Sequence, residues 1–315
     1  MTPDGLVFSV HRLSTDDGPG LRDTFFLKGC GLRCAWCHNP ESISPKPEIW
    51  WIERNCIGAR DCIRVCPEDA LELTERGIGI NRDRCTVCGL CVEACPSRAI
   101  EMIGKSWSVE ALLAEALKER VFYKNSGGGV TLSGGEPCLQ PEFAAGFFEA
   151  CRREGVHTAL DTCGYPRWEA IVPVLQHTDL VLYDLKEMDP ARHFEFTGGS
   201  NERILSNLLR LRDFVRENGT RPAIWIRTPL VPDHTATEEN ISAIGHFIDE
   251  HLGERAERWE LCAFNNTCGG KYEKLGHRWA LQGKPLLDRG IGHRLVETAR
   301  KCVRHPESVR LTGLV

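Results

Sequence analysis

The stretch TFFLKGCGLRCAWCHNPES, residues 24–42, decides how the rest of the chain is read. It starts as a strand, Thr24 to Leu27, and breaks at Gly29 into a loop carrying Cys30, Cys34 and Cys37 in a C-x3-C-x2-C pattern. Iron-sulfur clusters and structural zinc are normally caged by four ligands, and this loop offers three. Three thiolates on a 4Fe-4S cube leave one iron open to a ligand from outside the protein, as a catalytic zinc keeps a position for substrate. The loop therefore reads as a reactive metal site at the carboxyl end of a strand.

Beyond about residue 105 the pattern is strands alternating with amphipathic helices. Val109, Leu112, Leu113, Ala116 and Leu117 share one helical face behind Ser108, a good N-cap. A strand GGVTL leads to SGGEP and to a helix from Pro141, with Ala144, Phe147, Phe148 and Cys151 on one side and Gly155 just past its end. The runs HTALD, DLVLYDL, AIWIRTPL, WELCAF and SVRLTG then alternate with helical stretches at 202–218, 238–252 and 290–303. Such alternation implies an α/β fold with a parallel sheet and outer helices. About six to eight strands favour a partial (β/α)6 TIM-like barrel, with a doubly wound sheet as the alternative. Both put chemistry at the carboxyl ends of the strands. There lie Gly134, Gly135 and Glu136 after VTL, Asp161 and Thr162 after HTAL, Asp184 and Lys186 after LVLY, Arg227 after AIWI, and Asn265 after ELCAF. Taken alone, the glycines also suit an ordinary turn, and Asp184 and Lys186 a solvated strand end. Cys138, Cys151, Cys163, Cys262 and Cys302 read as small buried hydrophobes, and Cys268 has no argued role.

With 39 Lys and Arg against 44 Asp and Glu, the chain carries a net charge of −5, which argues against nucleic-acid or membrane partners. No basic start with an apolar run and no stretch of about 18 apolar residues occurs, so a cytoplasmic protein is expected. Ten of the sixteen cysteines lie between Cys30 and Cys95, a density that fits reduced thiolates holding metal better than disulfides. Residues 45–104 read as an insert between core segments 1–44 and 105–315. It holds two half-repeats, 56–70 and 85–99, each with Cys-Pro followed by a helical turn. Zinc ribbons share the C-x2-C spacing, but Cys85-x2-Cys88-x2-Cys91-x3-Cys95-Pro96 is the bacterial ferredoxin run. In such modules the fourth cysteine of each run ligates the other cluster, which groups Cys66 with Cys85, Cys88 and Cys91. The second group is Cys56, Cys62 and Cys95, a thiolate short because position 59 is alanine; Asp61, a water or a three-iron cluster are the ways to fill it. Electron relay is the expected role, a metal-stapled docking platform the alternative.

The three-cysteine loop and the strand-end glycines resemble the radical S-adenosylmethionine (SAM) superfamily. Within it, DGPGLRDTFFLKGCGLRCAWCHNPES, GGGVTLSGGEPCLQ, GVHTALDTCGY, LVLYDLKEMD and IWIRTPLVP closely resemble the activating enzymes of glycyl radical enzymes. The resemblance implies a partial barrel with a ferredoxin-like insert, and a catalytic cube on Cys30, Cys34 and Cys37 with Trp36 and His38 beside it. It also implies reductive cleavage of SAM to methionine and a 5'-deoxyadenosyl radical that takes a hydrogen from a backbone glycine of a partner glycyl radical enzyme. Flavodoxin or ferredoxin is the implied electron donor. Gly134, Gly135 and Glu136 match the segment that meets the methionyl amino group, Lys186 and Arg227 match SAM-holding positions, and Asp161, Thr162 and Asp184 match acidic strand ends where a monovalent cation is implied. Asn265 stands where simpler family members carry a SAM-contacting histidine, and asparagine can hydrogen bond but not take a positive charge. A radical SAM enzyme acting on a small molecule, or an electron-transfer iron-sulfur protein, are the rival readings.

Overall fold

The strand that carries the cysteine loop is buried along its whole length. In this computed structural model, which describes residues 3–75, 77–219 and 221–314, β1 (Gly5–Ser14) pairs antiparallel with β2 (Arg22–Leu27). Met1, Thr2 and Val315, ends of the core outlined from sequence, lie outside the described residues. Every residue of β2 is buried, as a strand covered on both faces must be. Its first side chain, Arg22, is a fully buried guanidinium. It is satisfied by Thr131 Oγ1 at 2.8 Å, the Val130 carbonyl at 2.5 Å and His157 Nδ1 at 3.3 Å. Burial pulls its pKa down to about 10, so it stays charged at neutral pH.

The segment after the cysteine loop builds its own small structure. β3 (Glu48–Trp51) is followed by the one-turn helix α1 (Asp61–Arg64), the hairpin β4 (Leu71–Thr74) and β5 (Gly77–Ile80), a second one-turn helix α2 (Leu90–Glu93), and β6 (Ile100–Ile103). β3 pairs antiparallel with β6, from Glu48 opposite Ile103 to Trp51 opposite Ile100, so the segment leaves the core and returns to it through one zipped pair. Ile49, Cys62, Leu71, Ile78, Cys91 and Ile100 form its apolar centre, separate from the main core.

Return to the core is made by β7 (Lys105–Trp107), which adds to the free edge of β1. Ser108 then caps α3 (Val109–Ala116), its hydroxyl accepting from the Ala111 N–H at 3.2 Å. α4 (Arg120–Ser126) leads to β8 (Gly129–Gly134), and α5 (Pro141–Arg153) to β9 (His157–Thr162). α6 (Trp168–Leu175) precedes β10 (Leu180–Asp184), and α7 (Pro190–Thr197) with α8 (Glu202–Glu217) precedes β11 (Ala223–Leu230). α9 (Glu238–His251) joins β12 (Ala256–Ala263), and α10 (Gly269–Lys274) and α11 (Arg289–Lys301) lead to β13 (Val309–Thr312).

The strand order is β13-β12-β11-β10-β9-β8-β2-β1-β7, with every pair from β2 through β13 parallel. Each new parallel strand lies beside the last one and the order never reverses, which is the winding of a barrel wall and not of a doubly wound sheet. β13 is a parallel strand beyond the six β/α units read from sequence. Helices seal the outer face with apolar stripes at helical spacing, such as Ile204, Leu208, Leu211 and Val215 of α8. Phe143, Phe147 and Phe148 of α5 are fully buried beside Phe25, each worth about 2–3 kcal/mol of removed apolar surface. No described helix is long and apolar enough to cross a membrane.

Candidate active site

Register brings the strand-end side chains to one place. Leu27 pairs with Gly134, Leu182 with Asp161, Asp184 with Arg227, and Arg227 with Glu260, so residues far apart in sequence form rows at the carboxyl edge. Cys30, Cys34 and Cys37 line a cavity of about 270 Å³ there, with Trp36 and His38 of the same loop on its wall. Gly134, Gly135, Asp161, Thr162, Asp184, Lys186 and Arg227 complete the cavity, so it gathers twelve of the fourteen side chains and backbone positions singled out from sequence around the cluster and SAM. Glu136 and Asn265 are not among its walls.

The glycines are there because backbone must pass backbone. A Cβ on Gly135 would stand 2.2 Å from the Gly29 carbonyl oxygen, and Gly134 has φ +112°, a conformation that other residues rarely adopt. That close passage lets the Gly135 N–H reach the Leu27 carbonyl at 2.8 Å and the Glu136 N–H reach the Gly29 carbonyl at 2.7 Å, which fixes the first residues of the cysteine loop.

Glu136 points away from the cavity into a buried knot. Its carboxylate accepts from the Cys138 N–H at 3.0 Å, the Cys163 N–H at 2.9 Å and the Thr162 hydroxyl at 2.9 Å, with the Cys163 thiol 3.0 Å away. Burial raises its pKa, opposed by these donors. Cys163, which sequence reasoning left as a small hydrophobe, also lies beside the sulfur of Cys30; that contact, working against burial, lowers the Cys30 pKa. Burial pushes Cys34 up to about 11 and Cys37 higher still, so without metal both are thiols at neutral pH.

The acidic and basic strand ends pair with each other. Lys186 is bonded to Asp184, and although burial opposes its charge, the Asp184 carboxylate holds its pKa above the ordinary lysine value. Asp161 accepts from Ser133 Oγ at 2.6 Å and lies 3.7 Å from the Arg227 guanidinium; burial, helped by Asp184, lifts its pKa to about 6 against that attraction. Thr162 donates to Glu136 and one oxygen of Asp184 pairs with Lys186, so the residues at which a cation is implied also serve partners within the protein. Arg227 donates to the Asp16 carbonyl at 3.0 Å, while its buried Nε lies 3.4 Å from Glu260 and has no hydrogen-bond partner.

A segment that sequence reasoning had read only as a departure from pattern grips the cysteine loop from the other side. The Trp279 indole donates to the Ala35 carbonyl at 3.0 Å, and the Tyr272 hydroxyl to the Cys37 carbonyl at 3.0 Å. Lys271 Nζ donates to the His38 carbonyl at 3.0 Å and to Asn39 Oδ1 at 2.8 Å, and pairs with buried Glu41 at 2.8 Å. His38 Nε2 in turn donates to the Asn265 carbonyl at 3.0 Å. Burial lowers the His38 pKa, so the ring is neutral near pH 7. The Asn265 side chain is occupied locally by the hydroxyl and N–H of Thr267.

The inserted segment sorts its cysteines into two clefts. One is lined by Cys66, Cys85, Cys88 and Cys91, the other by Cys56, Cys62 and Cys95 with Ala59 and Asp61 on its wall. Burial raises the pKa of Cys62 in one cleft and lifts that of Cys91 in the other to about 11, with the neighbouring cysteines of the same cleft adding to each shift.

The model of the radical SAM superfamily matches residues 24–242. The (2S)-3-sulfopropanediol dehydratase activating enzyme of Klebsiella oxytoca is 41% identical over 280 residues, 87% of this chain and 86% of that one. The isethionate sulfite-lyase activating enzyme of Oleidesulfovibrio alaskensis is 38% identical over 294 residues, 91% of this chain and 92% of that one. Among solved structures, Streptococcus suis SuiB bound to precursor peptide SuiA superposes with a TM-score of 0.51 at 15% identity, over 66% of this chain and 43% of that one, a likeness of fold.

Proposed function

From the premise that this chain belongs to the radical SAM superfamily and, within it, to the activating enzymes of glycyl radical enzymes, we propose the following division of labour among its residues. When bound, a 4Fe-4S cluster and SAM supply the radical chemistry by which such an enzyme takes a hydrogen atom from a glycine of its partner. The observation that carries the assignment is that Cys30, Cys34 and Cys37 line one cavity with the Gly134–Gly135 backbone, the buried Lys186 and the partly buried Arg227. The donor set fits the cofactors. Three thiols suit a cube with one open iron, and a backbone passing without side chains suits a ligand that must lie flat against it. Lys186 and Arg227, whose buried Nε lacks a hydrogen-bond partner, suit a carboxylate.

In this reading the loop thiols give up their protons on taking the cluster, so cluster loading is weakened by acid. Lys186 and Arg227 hold the SAM carboxylate, Trp36 and His38 shape the wall, and Glu136 keeps the glycine turn in place from behind. Hydrogen transfer needs no side-chain base, since the abstracting species comes from the cofactor. Release of 5'-deoxyadenosine, together with the glycyl radical resonance signal on an added partner enzyme, tests the assignment. Cys30→Ala, Cys34→Ala and Cys37→Ala should each abolish both, and full activity in any of them overturns it.

The segment 45–104 is a ferredoxin-like module in this reading, with one cluster on Cys66, Cys85, Cys88 and Cys91 and another on Cys56, Cys62 and Cys95. It passes electrons from a flavodoxin or ferredoxin toward the cysteine loop. The grouping of these cysteines into two clefts supports it. Cys88→Ser should then lose activity with a protein donor at least tenfold more than with a small chemical reductant. Equal loss with both donors, while the catalytic cluster stays intact, points to a structural role instead.

A further inference from the structure

Helix α10 lies between the inserted segment and the cysteine loop and is bonded to both. Toward the loop it sends Lys271 and Tyr272, which donate to the His38 and Cys37 carbonyls at 3.0 Å each, with the Lys271–Glu41 pair behind them. Glu41 is 2% exposed, so the pair holds a buried carboxylate that is costly to leave alone. Toward the insert, the end of the helix exposes carbonyls that no further turn can satisfy. Arg82, three residues before Cys85, takes two of them: its Nε donates to the Leu275 carbonyl at 3.0 Å and a terminal nitrogen to the Lys274 carbonyl at 3.4 Å. The same guanidinium also donates to the Ile49 carbonyl at 3.4 Å. Lys274 stands 4.6 Å over the Trp50 ring, and Leu275 is buried with Trp50 and Ile103, the residues of β3 and β6 that form the neck of the insert.

We propose that α10 is a brace through which the inserted segment holds the catalytic cysteine loop in its working geometry, with Arg82 and Lys271 as the two positioning residues. The insert thus contributes to the reaction mechanically, whatever it contributes as an electron path. The loop is an irregular turn whose carbonyls have few partners of their own. Ala35, Cys37 and His38 each take one from residues 271–279, and α10, at six residues, is too short to stand without support at its far end. Cutting the support at Arg82 therefore loosens the loop about 20 residues upstream of the insert's first cysteine.

The proposal rests on reading the loop as the catalytic site, but the test does not, so the two can fail separately. Amide hydrogen exchange of the anaerobic, cluster-loaded protein is followed in the segment 34–39, in α10 and in α5 as an internal control. Arg82→Ala, which removes three hydrogen bonds, and Lys271→Met, which removes two and leaves Glu41 without its cation, are each expected to speed exchange at 34–39 by at least about tenfold, with α5 unchanged and iron content at the wild-type level. The double variant should be less than additive, because the two residues act in series. Lys271→Arg should recover part of the protection. Unchanged exchange at 34–39 in Arg82→Ala, or full additivity in the double variant, overturns the proposal. Should Arg82→Ala fail to fold, Arg82→Lys, which keeps the charge but only one donor nitrogen in place of the guanidinium fork, is read by the same criteria.

Discussion

The buried carboxylate of Glu136 gives the sharpest test of how the site is built. Its oxygens face only donors: the N–H groups of Cys138 and Cys163, the Thr162 hydroxyl and the Cys163 thiol. In Glu136→Gln, shape is kept but one oxygen becomes an NH2 that brings two more donors into the same space. At least one backbone N–H is left without an acceptor, a loss of about 1–3 kcal/mol, and the remaining bonds lose their charge assistance, about 1 kcal/mol more. A total near 3 kcal/mol, against an unfolding entropy of about 0.7 kcal/mol per kelvin for a chain of 315 residues, lowers the melting temperature by about 4–5 °C. Anaerobic calorimetry of the SAM-free protein measures it, and Thr162→Val, which removes one of the same donors, should show a smaller drop. A Glu136→Gln protein that melts with wild type yet binds SAM more weakly would refute the reasoning, because it would mean that the carboxylate serves the ligand and not the turn.

Gly135→Ala should lower iron content and stability together, by about 2–3 kcal/mol, since its methyl meets the Gly29 carbonyl at 2.2 Å where neither backbone has room to yield; iron analysis beside thermal melting reads both. His157, held down to about 4 by burial and by the Arg22 guanidinium, binds its proton in the unfolded chain from pH 6.5 downward and in the folded chain only near 4. Stability should therefore fall by about 3 kcal/mol as pH drops through that window, and His157→Asn, which keeps an acceptor for Arg22, should flatten the decline in a melting-temperature series. Ala59→Cys should suppress a three-iron resonance signal on mild oxidation, measured in protein that also lacks Cys30, Cys34 and Cys37, because position 59 lies on the wall of the cleft that holds Cys56, Cys62 and Cys95.

The barrel wall was legible because its signals are local and periodic. Strand runs bounded by glycine and acidic residues, the Ser108 cap and the α5 stripe all act within a few residues of themselves. The cysteine loop was legible because three thiols at fixed spacing have few uses. The buried partners of Glu136 were not legible, since a carboxylate beside two glycines looks the same in sequence whether it faces a ligand or two backbone N–H groups. α10 left no helical signature: it opens on Gly269 and Gly270 and spans six residues, too few for an apolar period. Its purpose lies in contacts with residues more than 200 positions away, which no local pattern encodes. Cys163 was hidden for a similar reason, as its closeness to Cys30 exists only after β9 is laid beside β8.

The zipped neck formed by β3 and β6 has an evolutionary consequence. Glu48 stands opposite Ile103, so the points where the chain departs for the insert and comes back are about 5 Å apart, one strand spacing. A gap that small is bridged by a short turn, and lengthening such a turn to several dozen residues costs only about 2 kcal/mol in closure entropy, which the β3–β6 pairing offsets. The position is therefore a natural splice point, at which a small folded segment can be acquired, exchanged or discarded by recombination without redrawing the barrel wall. What cannot be discarded freely is Arg82. A chain lacking this segment loses the two donors of Arg82 at the end of α10, and compensating change is expected in residues 265–281.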